Sequence, residues 1–301
     1  MKIAVMGAGS VGCYFGALLA LSGLPVTLVG RRQHVDAVTA RGLVLEVGGT
    51  LRQVPVLATT GMHGVAGAEL VLFCVKSGDT EQVGREMAAH LHPGATILSL
   101  QNGVDNADRL AAVLGRPVVP VAVYVATAMG GPGHVVHHGR GELVIGTCPR
   151  AGEIVALFGA AGIPTTVSEK AIEALWAKLV VNCAYNALSA LTRLPYGRML
   201  RLPGIEAVMT DVVQECVAVA KASGVALAPD IMDAVLGLAA TMPHQASSTA
   251  QDLAKGKPTE IDHLNGFVIR AGAERGIPTP ANRVLHTLVK AAEAGIAAPG
   301  H

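Results

Sequence analysis

Aromatic side chains are scarce in this chain, making up 3% of its 301 residues with one Trp, four Tyr and four Phe. That removes the stacking platforms on which single-stranded nucleic acid is held. An excess of one charge sign is missing as well, since 23 Lys and Arg face 22 Asp and Glu. With a net charge of +1 and no long block of like charge, no nucleic-acid or membrane partner is expected. Cysteine is sparse too: Cys13, Cys74, Cys148, Cys183 and Cys216 are widely spaced with no Cys-x-x-Cys pair, so reduced, buried thiols are expected. What is abundant is aliphatic, with 51% hydrophobic and only 15% charged residues, a composition that suits an α/β enzyme. The length exceeds the roughly 250–300 residues at which a single core stops growing, so one large domain or two is expected.

From Ile3 to Gly30 there is no charged residue, long enough to span a bilayer or to imitate a signal peptide. Gly7, Gly9, Gly12, Gly16, Gly23, Gly30 and Pro25 within it, with Lys2 the single preceding charge, argue against both. A cytoplasmic enzyme is the expectation.

Ile3–Met6, Val26–Val29, Leu70–Val75 and Ile97–Leu100 are continuous apolar runs of strand length, the pattern of parallel strands buried on both faces. The segments between them are long enough for crossover helices, which predicts a doubly wound sheet. Val118–Val125, Val135–His137 and Glu142–Ile145 read as later strands, the last two joined by the Gly- and His-rich stretch His138–Gly141, and they could finish the sheet antiparallel. From Ser168, which can cap a helix, the chain turns to long Ala- and Leu-rich segments. Helices are predicted at 171–191, 204–223, 229–242, 260–275 and 280–294. The division is residues 1–168, a dinucleotide-type domain, and 169–301, an all-helical substrate and catalytic domain, with the cleft between them as the default site.

Gly7-Ala8-Gly9-Ser10-Val11-Gly12 follows the first strand and opens a helix. Gly7 permits the tight turn, Gly9 lets the backbone approach a pyrophosphate, and Gly12 lets helix and strand pack closely, as in a Rossmann-like domain. An acid at the end of the second strand would bond a ribose 2′-hydroxyl, whereas arginine accommodates a 2′-phosphate. The chain has Gly30-Arg31-Arg32 there, which favours NADPH, with Arg31 the first partner and Arg32 the second. Lys76 and Gln101-Asn102-Gly103 follow strands whose carboxyl ends face the cofactor cleft. Taken alone they read equally well as a surface lysine and a turn.

Lys178, Asn182 and Asn186 recur at i, i+4 and i+8, one polar stripe on an otherwise apolar helix. Such a stripe either meets polar groups in the core or faces a ligand. A partly desolvated lysine can donate the proton that hydride addition to a carbonyl requires, which makes Lys178 the candidate general acid. A second polar cluster runs from Ser247-Ser248 through Gln251-Asp252 to Thr259-Glu260-Ile261-Asp262 and Asn265-Gly266. Glu260 and Asp262 also suit a helix N-terminus with no further role.

Together these segments, over nearly the whole chain, resemble the ketopantoate reductase family. The resemblance implies NADPH-dependent reduction of 2-dehydropantoate to (R)-pantoate, on the route to pantothenate and coenzyme A. It implies that Lys178 protonates the C2 carbonyl oxygen and that Glu260 holds the substrate hydroxyl. By the same resemblance Asn102 would lie between nicotinamide and substrate, Asn182, Asn186 and Ser248 would bind carboxylate and hydroxyl groups, and Lys76 would support the cofactor and Lys178. Gln245 and Ala187 depart from residues common in the family, which leaves another small 2-oxo acid as the alternative substrate. A non-catalytic NADPH-binding sensor is the other alternative, and the intact polar constellation argues against it. His134, His137 and His138 suit a hairpin with no carboxylate or thiol nearby, so no metal is expected. The apolar helices are compatible with self-burial or with a homodimer.

Overall fold

The computed structural model describes residues 1–297, with side chains through residue 295; residues 298–301 of the expected helical domain lie outside the described residues. The chain divides into two compact units, Met1–Ile172 and the residues from Glu173 onward.

In the first unit β1 (Ile3–Met6) leads through α1 (Ser10–Leu21) to β2 (Val26–Val29), and α2 (Arg32–Arg41) leads to the hairpin β3 (Leu43–Val47) and β4 (Thr50–Val54). Then come β5 (Leu57–Thr59), β6 (Leu70–Phe73), α3 (Thr80–Ala88), β7 (Thr96–Ser99) and α4 (Asn106–Leu114). The unit closes with β8 (Val119–Gly131), β9 (His134–Ile145), α5 (Ala151–Ala160) and β10 (Thr165–Val167). The strand order is β4-β3-β9-β8-β7-β6-β1-β2-β5, with β10 also paired to β9. From β5 through β2, β1, β6 and β7 to β8 every pairing is parallel. This is the doubly wound order, with its switch point beside β1.

The apolar runs make this sheet because each has core on both sides. Ile3 and Val5 enter one cluster with Phe15, Leu28 and Phe158, while Ala4 and Met6 enter another with Phe73, Met87 and Leu110. Beyond β8 the sheet turns mixed: β9 runs antiparallel to β8, β3 parallel to β9, and β4 antiparallel to β3.

One strand differs from expectation. The stretch 138–141 is not a connector between two strands but the middle of β9, where Gly139 and Arg140 pair with Ala126 and Val125 of β8. Register shifts leave His138 and Gly141 out of the ladder, and Arg140 takes φ 60°, the left-handed region. The hairpin turn lies instead at 132–133, ahead of the histidines.

The second unit is all helical: α6 (Ala171–Thr192, entering from the first unit), α7 (Tyr196–Met199), α8 (Ile205–Ala222), α9 (Ile231–Thr241), α10 (Ser248–Ala254), α11 (Asn265–Glu274) and α12 (Pro280–Ala297). The helix predicted over 260–275 is split into a single 3₁₀ turn, Ile261–His263, and α11. Leu264, at φ −110° and ψ −102°, breaks it. The residues on either side of Glu260 bond to α12, and the buried Asn265 amide bonds to the Cys183 carbonyl at 3.2 Å, so no continuous helix forms here. Among the described residues no helix is long and apolar enough to cross a membrane.

Candidate active site

The Gly7–Gly12 turn joins β1 to α1 at the switch point. Gly7 has φ +108°, and a Cβ on it would stand 2.7 Å from the Cys74 carbonyl carbon. A Cβ on Gly12 would run into the Gly7 carbonyl oxygen, whereas one on Gly9 would meet nothing within 4 Å. The turn is thus tight where it packs on β6 and open at Gly9, ahead of the α1 N-terminus carrying Ser10 and Val11. That is the shape a pyrophosphate requires. Gly30 serves the same turn, because a Cβ there would lie 2.5 Å from the Ala8 methyl. Beneath it, burial pushes the Cys13 thiol up to about 12, an inert thiol rather than a nucleophile.

Arg31 follows β2 after Gly30, its side chain 79% exposed and 3.7 Å from Asp79. An ion pair that exposed is weak and leaves the guanidinium able to meet a phosphate. Lys76 leaves the end of β6 exposed, and Asn102 leaves the end of β7 half-buried.

A polar network ties these last two loops together. The Asn102 carbonyl accepts from Ser77 Oγ at 3.1 Å and from Asn106 Nδ2 at 2.6 Å. Gln101 is buried; its amide nitrogen donates to the Val75 carbonyl at 3.2 Å and to Thr80 Oγ1 at 2.8 Å. It is therefore a clasp inside the protein, while its neighbour Asn102 is the residue that reaches the surface. Arg109 completes the network, donating to Glu81 at 2.6 and 2.8 Å, to Asn106 Oδ1 at 3.0 Å and to the Ser77 carbonyl at 3.0 Å. Burial alone would lower the Arg109 pKa, but Glu81 and Asp105 more than reverse it. Sequence reading missed Thr80, Asn106 and Arg109, whose partners lie mostly more than twenty residues away.

In the second unit Lys178 and Asn182 on α6 are half-buried and Asn186 is buried. Ser247 Oγ donates to the Asn186 carbonyl at 3.1 Å and accepts from Ala250 N at 3.0 Å, capping α10. Ser248, the first residue of α10, is held beside the Asn186 turn by that bond. Glu260 stands at the start of the 3₁₀ turn without a side-chain capping bond to it, and the Asn265 bond to Cys183 holds its segment against α6. Lys178, Asn182, Asn186, Ser248 and Glu260 thus sit on elements tied to one helix. The Gln245 amide is spent locally, donating to the Ala246 carbonyl at 2.9 Å.

The histidines have their own partners. His134 meets Glu46 of β3 at 2.9 Å, a carboxylate that the sequence alone does not bring near, and His137 stacks on Tyr14 at 4.6 Å between ring centres. No His, Cys, Asp and Glu grouping among the described residues could hold a metal ion. A cavity of about 670 Å³ opens at the other, amino-terminal ends of β1 and β2, beside Lys2, Val26 and Leu57, and plays no part in this arrangement.

A doubly wound sheet with an open glycine turn at its switch point, followed by a helical unit, is the architecture of a nicotinamide-dinucleotide-dependent dehydrogenase. Residues 3–150 match the family described as ketopantoate reductase PanE/ApbA, and residues 170–293 match its C-terminal counterpart. The chain belongs to the ketopantoate reductase family, and is an oxidoreductase of that family. The 2-dehydropantoate 2-reductase of Halobacterium salinarum is 36% identical to it, covering 97% of this chain and 99% of the relative. The crystal structure of a PanE/ApbA family ketopantoate reductase from Ralstonia eutropha matches with a TM-score of 0.96 and 55% identity, over 99% of this chain and 100% of that one. The ternary structure of D-mandelate dehydrogenase with NADH and anilino(oxo)acetate shares the fold at a TM-score of 0.93, with 23% identity over 99% of this chain and 100% of that one.

Proposed function

We propose that this chain reduces 2-dehydropantoate to (R)-pantoate with NADPH, using Lys178 as the general acid. The observation that carries the reading is the Lys178, Asn182, Asn186 stripe on α6, with Ser248 and Glu260 fastened to that same helix. Relatives named 2-dehydropantoate 2-reductase support the substrate. Gly7, Ala8, Gly9, Ser10, Val11 and Gly12 would cradle the pyrophosphate, Arg31 the 2′-phosphate, and Lys76 and Asn102 the nicotinamide half. When bound, NADPH supplies a hydride to the C2 carbon of the oxo acid. Lys178 Nζ gives its proton to the oxygen that gains the charge, completing the alcohol, and is reprotonated from solvent. Glu260 accepts from the substrate hydroxyl, and Asn182, Asn186 and Ser248 donate to its carboxylate and oxygens.

The test follows NADPH oxidation by the purified protein with 2-dehydropantoate, beside NADH and other 2-oxo acids. Turnover that is efficient with NADPH and 2-dehydropantoate, and a hundredfold or greater loss of kcat in Lys178→Ala with NADPH binding retained, are expected. Near-normal turnover in Lys178→Ala would sink the assignment of the acid. Efficient turnover of another 2-oxo acid alone would keep the chemistry and change the substrate, as the departures at Gln245 and Ala187 allow.

A further inference from the structure

The segment that carries Glu260 is fastened on both sides to one face of α12. His286, Lys290 and Glu293 recur at i, i+4 and i+7, so they share that face. Before Glu260, the Glu293 carboxylate accepts from the Thr259 main-chain N–H at 2.7 Å and from the Thr259 hydroxyl at 2.6 Å. The same hydroxyl accepts from Ile261 N at 3.2 Å, bridging over Glu260. After Glu260, Asp262 meets His286 Nε2 at 2.6 Å with one oxygen and Lys290 Nζ at 3.0 Å with the other. Lys290 also reaches Glu293 at 2.8 Å and so joins the two anchors. Gly266 makes room for the arrangement, because a Cβ there would stand 3.2 Å from the His286 ring and 3.3 Å from the Ile261 carbonyl oxygen.

As a source of stability this attachment is weak: Lys290 and Asp262 stay 43% and 45% exposed, and only Glu293, at 14%, gives up most of its water. What charged, directional bonds add is a fixed position and orientation. Burial alone would raise the Asp262 carboxyl, but the hydrogen bonds from His286 and Lys290 hold it below the usual carboxylate range, so it stays ionised and acceptor-only.

We propose that Glu293, Lys290 and His286 are positioning residues that act through Glu260: by holding Thr259 and Asp262 they fix where the Glu260 carboxylate stands for the substrate hydroxyl. The inference rests on the reading of Glu260 as a substrate-holding group. It gives α12, which contributes no group to the proposed chemistry, a part in substrate capture.

The test is a double-mutant cycle on kcat/KM for 2-dehydropantoate with saturating NADPH, read by single turnover where rates are low. Glu293→Ala is expected to lower kcat/KM tenfold or more, chiefly through KM, with NADPH affinity unchanged. Glu293→Gln should recover most of the loss, since its amide oxygen can accept both Thr259 bonds. In a Glu260→Gln background the further change from Glu293→Ala should be under about twofold, because the group it positions is already altered. Equal losses in both backgrounds, or no loss in Glu293→Ala alone, would overturn the proposal. Should Glu293→Ala not fold, Thr259→Val removes the bridging hydroxyl and carries the same comparison. If Glu260→Ala turns over normally, the role of Glu260 falls and the clamp falls with it. If Glu260→Ala is inactive while the α12 variants are normal, only the clamp falls.

Discussion

At Gly12 the sheet leaves no room for a methyl group, and at Gly9 it leaves a great deal. The two glycines of one turn therefore serve different ends, and alanine separates them. Gly12→Ala pushes a carbon into the Gly7 carbonyl oxygen and to 2.8 Å from Val5 Cγ1, which is expected to cost about 1–3 kcal/mol in urea unfolding. Gly9 has φ −84°, which alanine adopts freely, so Gly9→Ala should cost at most about 1 kcal/mol, the loss of a good helix cap. NADPH affinity, followed by cofactor fluorescence, should nevertheless fall in Gly9→Ala, because the methyl group occupies the proposed phosphate's space. Unchanged affinity there would place the pyrophosphate elsewhere. The turn and the Lys178 stripe are legible in the sequence because each is a local pattern, a fixed spacing on one turn or one helix. His286 and Glu293 are not legible, since their partners Asp262 and Thr259 lie 24 and 34 residues away and only packing brings them together.

Among the elements, the loops after β6 and β7 are the ones that depend on each other. Arg109 of α4 holds Glu81 of α3 with two bonds and the Ser77 carbonyl with a third, all with its side chain 21% exposed. Arg109→Met keeps the volume and removes every donor, leaving Glu81 and the Ser77 carbonyl without that partner. A loss of about 1–3 kcal/mol is expected in urea denaturation. NADPH affinity should drop in parallel if Lys76 and Asn102 hold the cofactor, since their loops lose a common brace; a stability loss with unaltered affinity would count against that role. The main parallel strands could be read from the sequence because each is an unbroken apolar run buried on both sides. The middle of β9 could not, for Gly139-Arg140-Gly141 looks like a loop when read alone. Its strand character comes from β8 and from the bulges that accommodate it. The helix expected over 260–275 is broken for a related reason: Asp262, one of the acids that look like a helix start, is bonded to α12.

For the molecule as a whole, acid is the condition that tests the second unit. The folded Asp262 carboxyl titrates below its ordinary value, so the unfolded chain binds the proton more readily than the folded one. The stability it contributes is then complete above the unfolded value of about 4 and is lost as pH falls through the lower folded value. Asp262→Asn should accordingly be less stable than the parent at pH 6, with the gap closing toward pH 3. A gap that stays constant across that range, measured by urea unfolding at each pH, would show that the charge of Asp262 is immaterial to folding. The strand order carries a different kind of consequence, concerning time. The strands β5, β2, β1, β6 and β7 come from the first hundred residues, yet β3 pairs Val44 with His134 and Leu45 with Val135. A nascent chain emerging from the ribosome can thus assemble its glycine turn early, while the apolar face of Leu43 and Leu45 waits for β9 to be synthesised. Until then that hairpin presents an uncovered sheet edge, and the interval is when the growing polypeptide is most exposed to wrong pairing or to capture by a chaperone.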